Sequence, residues 1–391
     1  MLSFRNVGGK AYRNTRLSHV EDLMFHEGRD GLAASLRILR GLAEHSPDLS
    51  MTLKWDGSPA VVCGINPDNG KFFVATKGAF NKVVKAYHTC EEIRRGVDNP
   101  DLAAKLEECL IHLSDIGIRG VLQGDLLFTA SDLTVTESEV SFMPNAIRYS
   151  IDHRTATARA IQGAKIGIAF HTVYEGGSMA ELTAVNFNFD PSSLDLDGSV
   201  WMPSIAVKNL VEGDNEPVRA DLTECEAAAG KVAPFLKTLL SNTELVPYIM
   251  PYVNSTVMAN LSDLSPSGLS KYVGTKIANE AAKLKTDKGK EGKAALADRL
   301  INFMEVYANQ LKGAFDLHKR LMSVKETLLS RASDLTEFRH SFVDEGGIRP
   351  TTPEGIVVDD GDIVVKLVHR SEFSAHNRRV HDPSVLLPRS R

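Results

Sequence analysis

The spacing of apolar residues changes twice along this chain. From residue 50 to about 215 it is dominated by alternation and short apolar runs, the marks of strands. Leu53-Lys54 closes one such run, and Val61-Val62-Cys63 opens the next after Asp56-Gly57. The Asp-Gly pair predicts a hairpin with Lys54 at its mouth. Phe72 and Val74 then alternate against Phe73 and Ala75. The turn Asn66-Pro67-Asp68-Asn69-Gly70 precedes them, so strands 60–65 and 71–76 are expected to pair antiparallel. Residues 81–117 read as helical, with Ile93, Leu102, Leu106, Leu110 and Leu113 as core positions. Gly120–Phe128 reads as a buried strand interrupted by Asp125, and 139–174 as further strands ending in Ile166–Tyr174.

Residues 180–215 are loop-rich and hold Trp201. From about 216 to 345 glycine thins and helical spacing takes over, as in Leu296, Leu300, Phe303, Met304, Tyr307 and Leu311. After Gly346-Gly347 and Pro350, strand character returns in Glu354–Val358 and, beyond the turn Asp359–Asp362, in Ile363–Val368. Ahead of the first strand, residues 1–29 are polar. His19, Glu21, Asp22, His26 and Glu27 suggest a metal cluster, but a solvated leading helix is the favoured reading. Asp30 is placed as the N-cap of a helix carrying Leu32, Leu36, Leu39 and Ala43. The pattern predicts an α+β fold, a mainly antiparallel sheet core with a large all-helical insertion. Its parts are 1–215, the first part of the core; 216–345, the insertion; and 346–391, the closing strands and a basic tail with His376, Arg378 and Arg379.

Composition narrows the picture only a little. The 391 residues are 43% hydrophobic and 24% charged, with a net charge of −5. No global basic field announces nucleic acid, so any such surface must be a local patch. Lys283, Lys285, Lys288, Lys290 and Lys293 offer one, and read equally well as a solvated interhelical loop or as a phosphate contact. Cys63, Cys90, Cys109 and Cys225 form no Cys-x-x-Cys pair, which argues against a disulfide framework or structural zinc. No apolar run approaches membrane-spanning length, and a cytoplasmic protein without membrane partners is expected.

Candidate chemistry lies on the strands. Lysine becomes a nucleophile only when its ammonium is discouraged from staying protonated. Lys54, Lys77 and Lys366 end or punctuate strands, together with the acids Asp56, Asp125 and Glu354. Asp125 amid Leu122, Leu126 and Leu127 is costly unless it is paired or faces a polar site. In this order the set resembles the covalent nucleotidyltransferase superfamily of DNA ligases, RNA ligases and mRNA-capping enzymes. Lys54-Trp55-Asp56-Gly57-Ser58 resembles the nucleophile motif, and Thr76-Lys77-Gly78 the element that follows it in phage-type RNA ligases. Gln123-Gly124-Asp125 resembles the acidic ribose contact, Phe170 the base-stacking aromatic, Glu354–Val358 the fourth motif and Val364-Val365-Lys366 the last.

The resemblance covers about 50–175 and 350–370. It implies a nucleotidyltransferase core with Lys54, Lys77 and Lys366 catalytic. Leu53, Asp56, Gly57, Asp125, Phe170, Glu354 and Lys366 would bind nucleotide, and Asp56 and Glu354 a metal. ATP and Mg²⁺ are the implied cofactors and RNA ends the implied partner, in an ATP-dependent RNA ligase working through a lysyl-AMP intermediate. The motifs are closest in style to bacteriophage enzymes, which implies the cytoplasm of an infected host cell. The chain departs from the wider superfamily at Pro59, where an arginine is usual, at the single Lys366, at Asp125 in place of Glu, and in lacking an oligonucleotide-binding barrel after Lys366. These departures point away from DNA ligases and capping enzymes. They also motivate two rivals, a nucleotidyltransferase with a non-nucleic-acid acceptor and a ligase-like binding protein without catalysis.

Overall fold

The computed structural model describes residues 17–187, 189–207, 215–259, 264–330, 335–344, 347–370 and 372–373. The chain forms two compact units that interleave along the sequence. The first comprises the described residues of Met1–Leu17, Ser50–Lys208 and Ala332–Val364, and the second those of Ser18–Leu49, Asn209–Arg331 and Val365–Arg391.

The strands of the first unit are β1 (Ser50–Lys54), β2 (Ala60–Ile65), β3 (Phe72–Ala75), β4 (Val121–Thr129), β5 (Thr134–Val135), β6 (Glu139–Phe142), β7 (Ile147–Asp152), β8 (Ile166–Glu175), β9 (Thr183–Asn186), β10 (Val200–Trp201), β11 (Ala206–Val207), β12 (Arg339–Asp344), β13 (Gly347–Thr351) and β14 (Gly355–Asp359). They build sheets in the orders β11-β1-β14, β10-β8-β4-β2-β3 with β9 on β8, and β13-β12-β7-β6-β5. All these pairs are antiparallel except β8 with β10. The expected mixture of helices and mainly antiparallel sheets is therefore present.

Alternation fixes the faces of the central sheet. Val61 and Cys63 of β2 join Leu122, Leu126, Ile166 and Ile168 in one apolar cluster, while Val62 joins Phe73, Val121 and Tyr174 in another. Ile93, Leu106, Leu110 and Leu113 pack into the first cluster from two helices, Cys90–Gly96 and Pro100–Leu113. Each such leucine contributes about 1.5–3 kcal/mol by leaving water. Both helices start where their sequences supply a cap: the Thr89 side chain accepts from Glu92 N, and Asn99 accepts from Leu102 N with Pro100 at the first position. The predicted helix over 81–117 thus shortens to these two. Residues 81–89 are not helical, and Tyr87 pairs with Val74 as an isolated bridge.

The second unit holds the helices Gly28–Ala43, Glu216–Ser241, Val246–Ala259, Pro266–Ala282, Asp287–Val306 and Ala308–Ser330. Gly28–Ala43 packs on Glu216–Ser241, which packs on Ala308–Ser330. Asp30 sits in the first turn of Gly28–Ala43 rather than capping it. Strand structure returns at Arg339, ahead of the expected residue 346. His376, Arg378 and Arg379 lie outside the described residues.

The solvated leading helix is not what forms. Glu21 and Asp22 are buried. Lys325 Nζ lies 2.6 Å from Glu21 Oε1, with neither side chain exposed. His318 Nε2 lies 2.8 Å from Asp22 Oδ1, and Arg370 Nη1 donates to both Asp22 oxygens at 2.9 and 3.0 Å. Burial works against the charged form of Asp22, but His318 and Arg370 outweigh it and hold its pKa at about 2. Within the polar stretch 19–27, Glu21 and Asp22 belong to a buried ion network whose partners stand about 300 residues downstream, while His26 is exposed.

Candidate active site

β1 and β2 do not form the predicted hairpin. β1 pairs with β11 and β14, whereas β2 pairs with β3 and β4 in a different sheet. The reason lies in Asp56-Gly57, whose partners come from elsewhere in the chain. The Asp56 backbone N–H donates to the Tyr149 hydroxyl at 2.8 Å. Its carboxylate accepts from Asn145 Nδ2 at 2.9 Å and from the Ala146 N–H at 3.0 Å. Ser58 N then donates to Leu126 O at 2.9 Å, and Leu126 N returns the bond to Pro59 O at 3.0 Å. Asp56 is thus an anchor that carries the chain from one sheet to the next. Gly57 is required by space: a Cβ there would stand 2.6 Å from Asp125 Cβ and 2.9 Å from Leu126 O.

This passage brings Lys54 and Asp125 into one neighbourhood. Lys54 pairs with Gly355 in the β1–β14 register, which places Glu354 beside the end of β1. The Lys54 ammonium is bonded to the Glu354 carboxylate across 300 residues. Neither side chain is sealed off, at 27% and 15% exposure, so a ligand can still reach the pair. Burial alone would lower the Lys54 pKa, but the carboxylates of Glu354, Asp125 and Asp56 override it and raise it above the ordinary lysine value. Glu354 is raised too, first by burial and then by Asp56 and Asp125, against the pull of Lys54. The arrangement favours the protonated lysine, paired with Glu354.

His171 belongs to the same cluster, and the sequence pattern did not single it out. Its Nε2 lies 3.7 Å from Asp125 Oδ2, and its Nδ1 lies 2.8 Å from Thr172 Oγ1. The β4–β8 register shifts here, from Gln123 opposite Thr172 to Gly124 opposite Phe170, so His171 is the extra residue. Such bulges re-aim a side chain. The available signal was a lone imidazole inside an otherwise apolar strand.

A family model matches residues 14–381. The chain belongs to DUF6267, a family of unknown function. No curated protein matches it, and no solved structure does.

The DUF6267 chain distributes its remaining candidates unevenly. Leu53 is buried in β1, with its N–H on Ile205 O at 2.6 Å. Phe170 is only 3% exposed, lies in the helix-covered apolar cluster and meets Phe189 edge-on at 5.7 Å. The structure thus gives it a core position and sets the neighbouring His171 beside Asp125. Lys77 is exposed. Ala75 pairs with Val62 and Ala60 with Asp125, so Lys77, two residues past Ala75, stands at the Asp125 end of the sheet. Lys366 falls in the second unit, where its N–H donates to Ser18 O at 3.0 Å.

The expected metal ligands fit poorly. Among the described residues no group of three or more His, Cys, Asp or Glu is arranged to hold an ion. Both Asp56 oxygens already accept hydrogen bonds. Glu354 and Asp125 remain as carboxylates without such a backbone anchor in this neighbourhood.

Proposed function

We propose that the first unit of this chain is a covalent nucleotidyltransferase core, and that the protein is an ATP-dependent RNA ligase using Lys54 as its nucleophile. The observation that carries the reading is the Lys54–Glu354 pair, partly open to solvent, with Asp125 and Asp56 close enough to act on its charge. The sequence motifs pick out these same residues.

The chemistry asks little of the protein beyond position and charge. Nζ must lose a proton before it can attack. Glu354 is the base within reach, and its raised pKa suits it to hold that proton. The Nζ–Pα bond forms as the bond from Pα to the bridging oxygen breaks, and pyrophosphate leaves with the electron pair. Asp125, with His171 Nε2 at 3.7 Å, would accept a hydrogen bond from a ribose hydroxyl. Any divalent ion arrives with the triphosphate as part of the substrate, the usual habit of Mg²⁺. AMP then passes from Nζ to the 5′-phosphate of an RNA end. A 3′-hydroxyl attacks that phosphorus, AMP departs, and a phosphodiester remains.

The test is the intact mass of the protein after incubation with ATP and Mg²⁺, with GTP alongside. An increase of one nucleoside monophosphate, mapped to Lys54 and absent in Lys54→Ala, supports the reading. No adduct with either nucleotide, or one that survives Lys54→Ala, ends it. An adduct that passes to no RNA or DNA end would leave the core standing and move the acceptor to a protein or small molecule.

A further inference from the structure

The loop between β3 and the helix Cys90–Gly96 stands out on the surface of the first unit. Val83 is 77% exposed and Val84 38%, beside Lys82 and Lys85, which are also exposed. Residues 76–90 contain Lys77, Lys82 and Lys85 and no acid, in a chain whose net charge is −5. Elsewhere lysines often have carboxylate partners: Lys105 with Asp132, Lys293 with Glu280, Lys312 with Asp316. Lys77, Lys82 and Lys85 make no ion pair among the described residues.

The loop is also held in shape. Asn81 N and Lys85 N both donate to Gly78 O, at 3.2 and 3.1 Å, which closes its neck. Ala79 is fully buried, and Phe80 packs on Tyr174 at 4.9 Å. Tyr87 exchanges two backbone bonds with Val74, both 2.9 Å. A Cβ at Gly78 would stand 3.3 Å from Lys85 Cβ, so the Lys85 stem lies close over the neck. Exposed valines on a pinned, acid-free loop cost less to order on binding than a floppy one.

We propose that the Lys82–Lys85 loop is the surface on which this protein docks the phosphodiester backbone of its polynucleotide. The inference rests on the ligase reading for its partner and adds where that partner lies. The loop follows Lys77, at the end of the central sheet where Asp125 neighbours Lys54. Lys82 and Lys85 contact phosphates, and Val83 packs against sugar or base. Phosphate contacts position a strand without reading its sequence.

The rival surface is the Lys283–Lys293 stretch. There Lys293 lies 2.6 Å from Glu280 and Lys290 3.8 Å from Asp287, so part of its charge is already met.

The experiment uses the full chain and a labelled single-stranded oligoribonucleotide of mixed sequence, titrated across about 50–200 mM salt, the range in which phosphate contacts are most sensitive. The variant is Lys82→Gln/Lys85→Gln, with Val83→Ser added separately, and its unfolding midpoint is checked against the parent. The double variant is expected to bind more weakly at low salt and to flatten the slope of log K against log salt by about 1.4, at ~0.7 per single-strand phosphate lost. Its adduct with ATP is expected to be unchanged. An unchanged slope overturns the proposal, as does a slope that falls only when Lys283, Lys285, Lys288, Lys290 and Lys293 are neutralised. Competition by poly-glutamate as effective as RNA also overturns it, by marking a general anion surface. A parent that forms the adduct but binds no RNA removes the surface and leaves the catalytic core. A parent that binds RNA through the loop but forms no adduct does the reverse.

Discussion

Two lysine–glutamate pairs in this protein have almost the same span. Lys54 meets Glu354 across 300 residues, and Lys325 meets Glu21 across 304. Their settings are opposite. Lys325 and Glu21 have no exposure at all, and Arg370 supplies a second cation at 3.4 Å. Lys54 and Glu354 remain partly open, and the extra neighbours are acids and an imidazole. The closed pair is sealed from solvent, so a ligand has no path to it. The open pair carries an excess of negative charge around one cation. An unbalanced, reachable cluster of this kind is where functional groups tend to lie, and the proposed chemistry is put there for that reason.

The comparison breaks most visibly in stability. Lys325→Ala is expected to cost about 3–5 kcal/mol, because it strands a buried carboxylate, while Lys54→Ala shifts the unfolding midpoint far less. Denaturant titrations of both variants check this, and equal losses would erase the distinction. A Glu21→Gln/Lys325→Met double variant is expected to recover much of the loss, since it removes the unpaired charge.

In activity the order reverses. Lys54→Ala and Lys54→Arg should both abolish adduct formation, the second because a guanidinium stays protonated. Lys325→Met should retain adduct formation at temperatures where it is folded. Gly57→Ala sits between the two, since its methyl would collide with Asp125 and Leu126. Overpacking of this kind costs about 1–3 kcal/mol, and a loss of adduct in folded protein is expected from displacement of Asp125.

Acid separates the pairs more gently. Asp22 has a folded pKa of about 2, below its ordinary 3.8, so its stabilisation is complete above the ordinary value and fades as pH falls through 2. His19 is lowered well below 6.5 by burial, so its contribution begins to fade earlier, as pH falls below 6.5. Unfolding midpoints measured from pH 7 to 2 should decline in that sequence. Asp22→Asn should remove the lower step, and its persistence would exclude Asp22 as the source. The smallest effect belongs to neutralising Lys283–Lys293, which should leave the rate of adduct formation unchanged within error.

How much of this was legible depends on where each residue finds its partner. The β2–β3 pair was readable because turn and alternation lie within the two strands. Lys54 and Glu354 were singled out because each begins a short motif. The hairpin expected at Asp56-Gly57 failed because the bonds of Asp56 go to Asn145, Ala146 and Tyr149, some 90 residues away. Phe170 lies in the apolar core and the unpredicted His171 beside Asp125, through a register shift that hydropathy does not encode. Glu21 and Asp22 looked like surface residues because a charge reads as exposed until its partners, at 318, 325 and 370, are known.

The long span of the Lys54–Glu354 pair has a consequence during synthesis. A ribosome adds about 5–20 residues each second, so the 300 residues between the two take roughly 15–60 s to appear. Throughout that interval β1 has neither β14 beside it nor Glu354 against its lysine. Its edge is open, and whatever holds the nascent strand must wait for almost the whole message to be read. The Lys54 ammonium gains its counter-ion only as the last strand of the first unit emerges, so a polypeptide stalled before residue 354 would carry the lysine without its carboxylate partner.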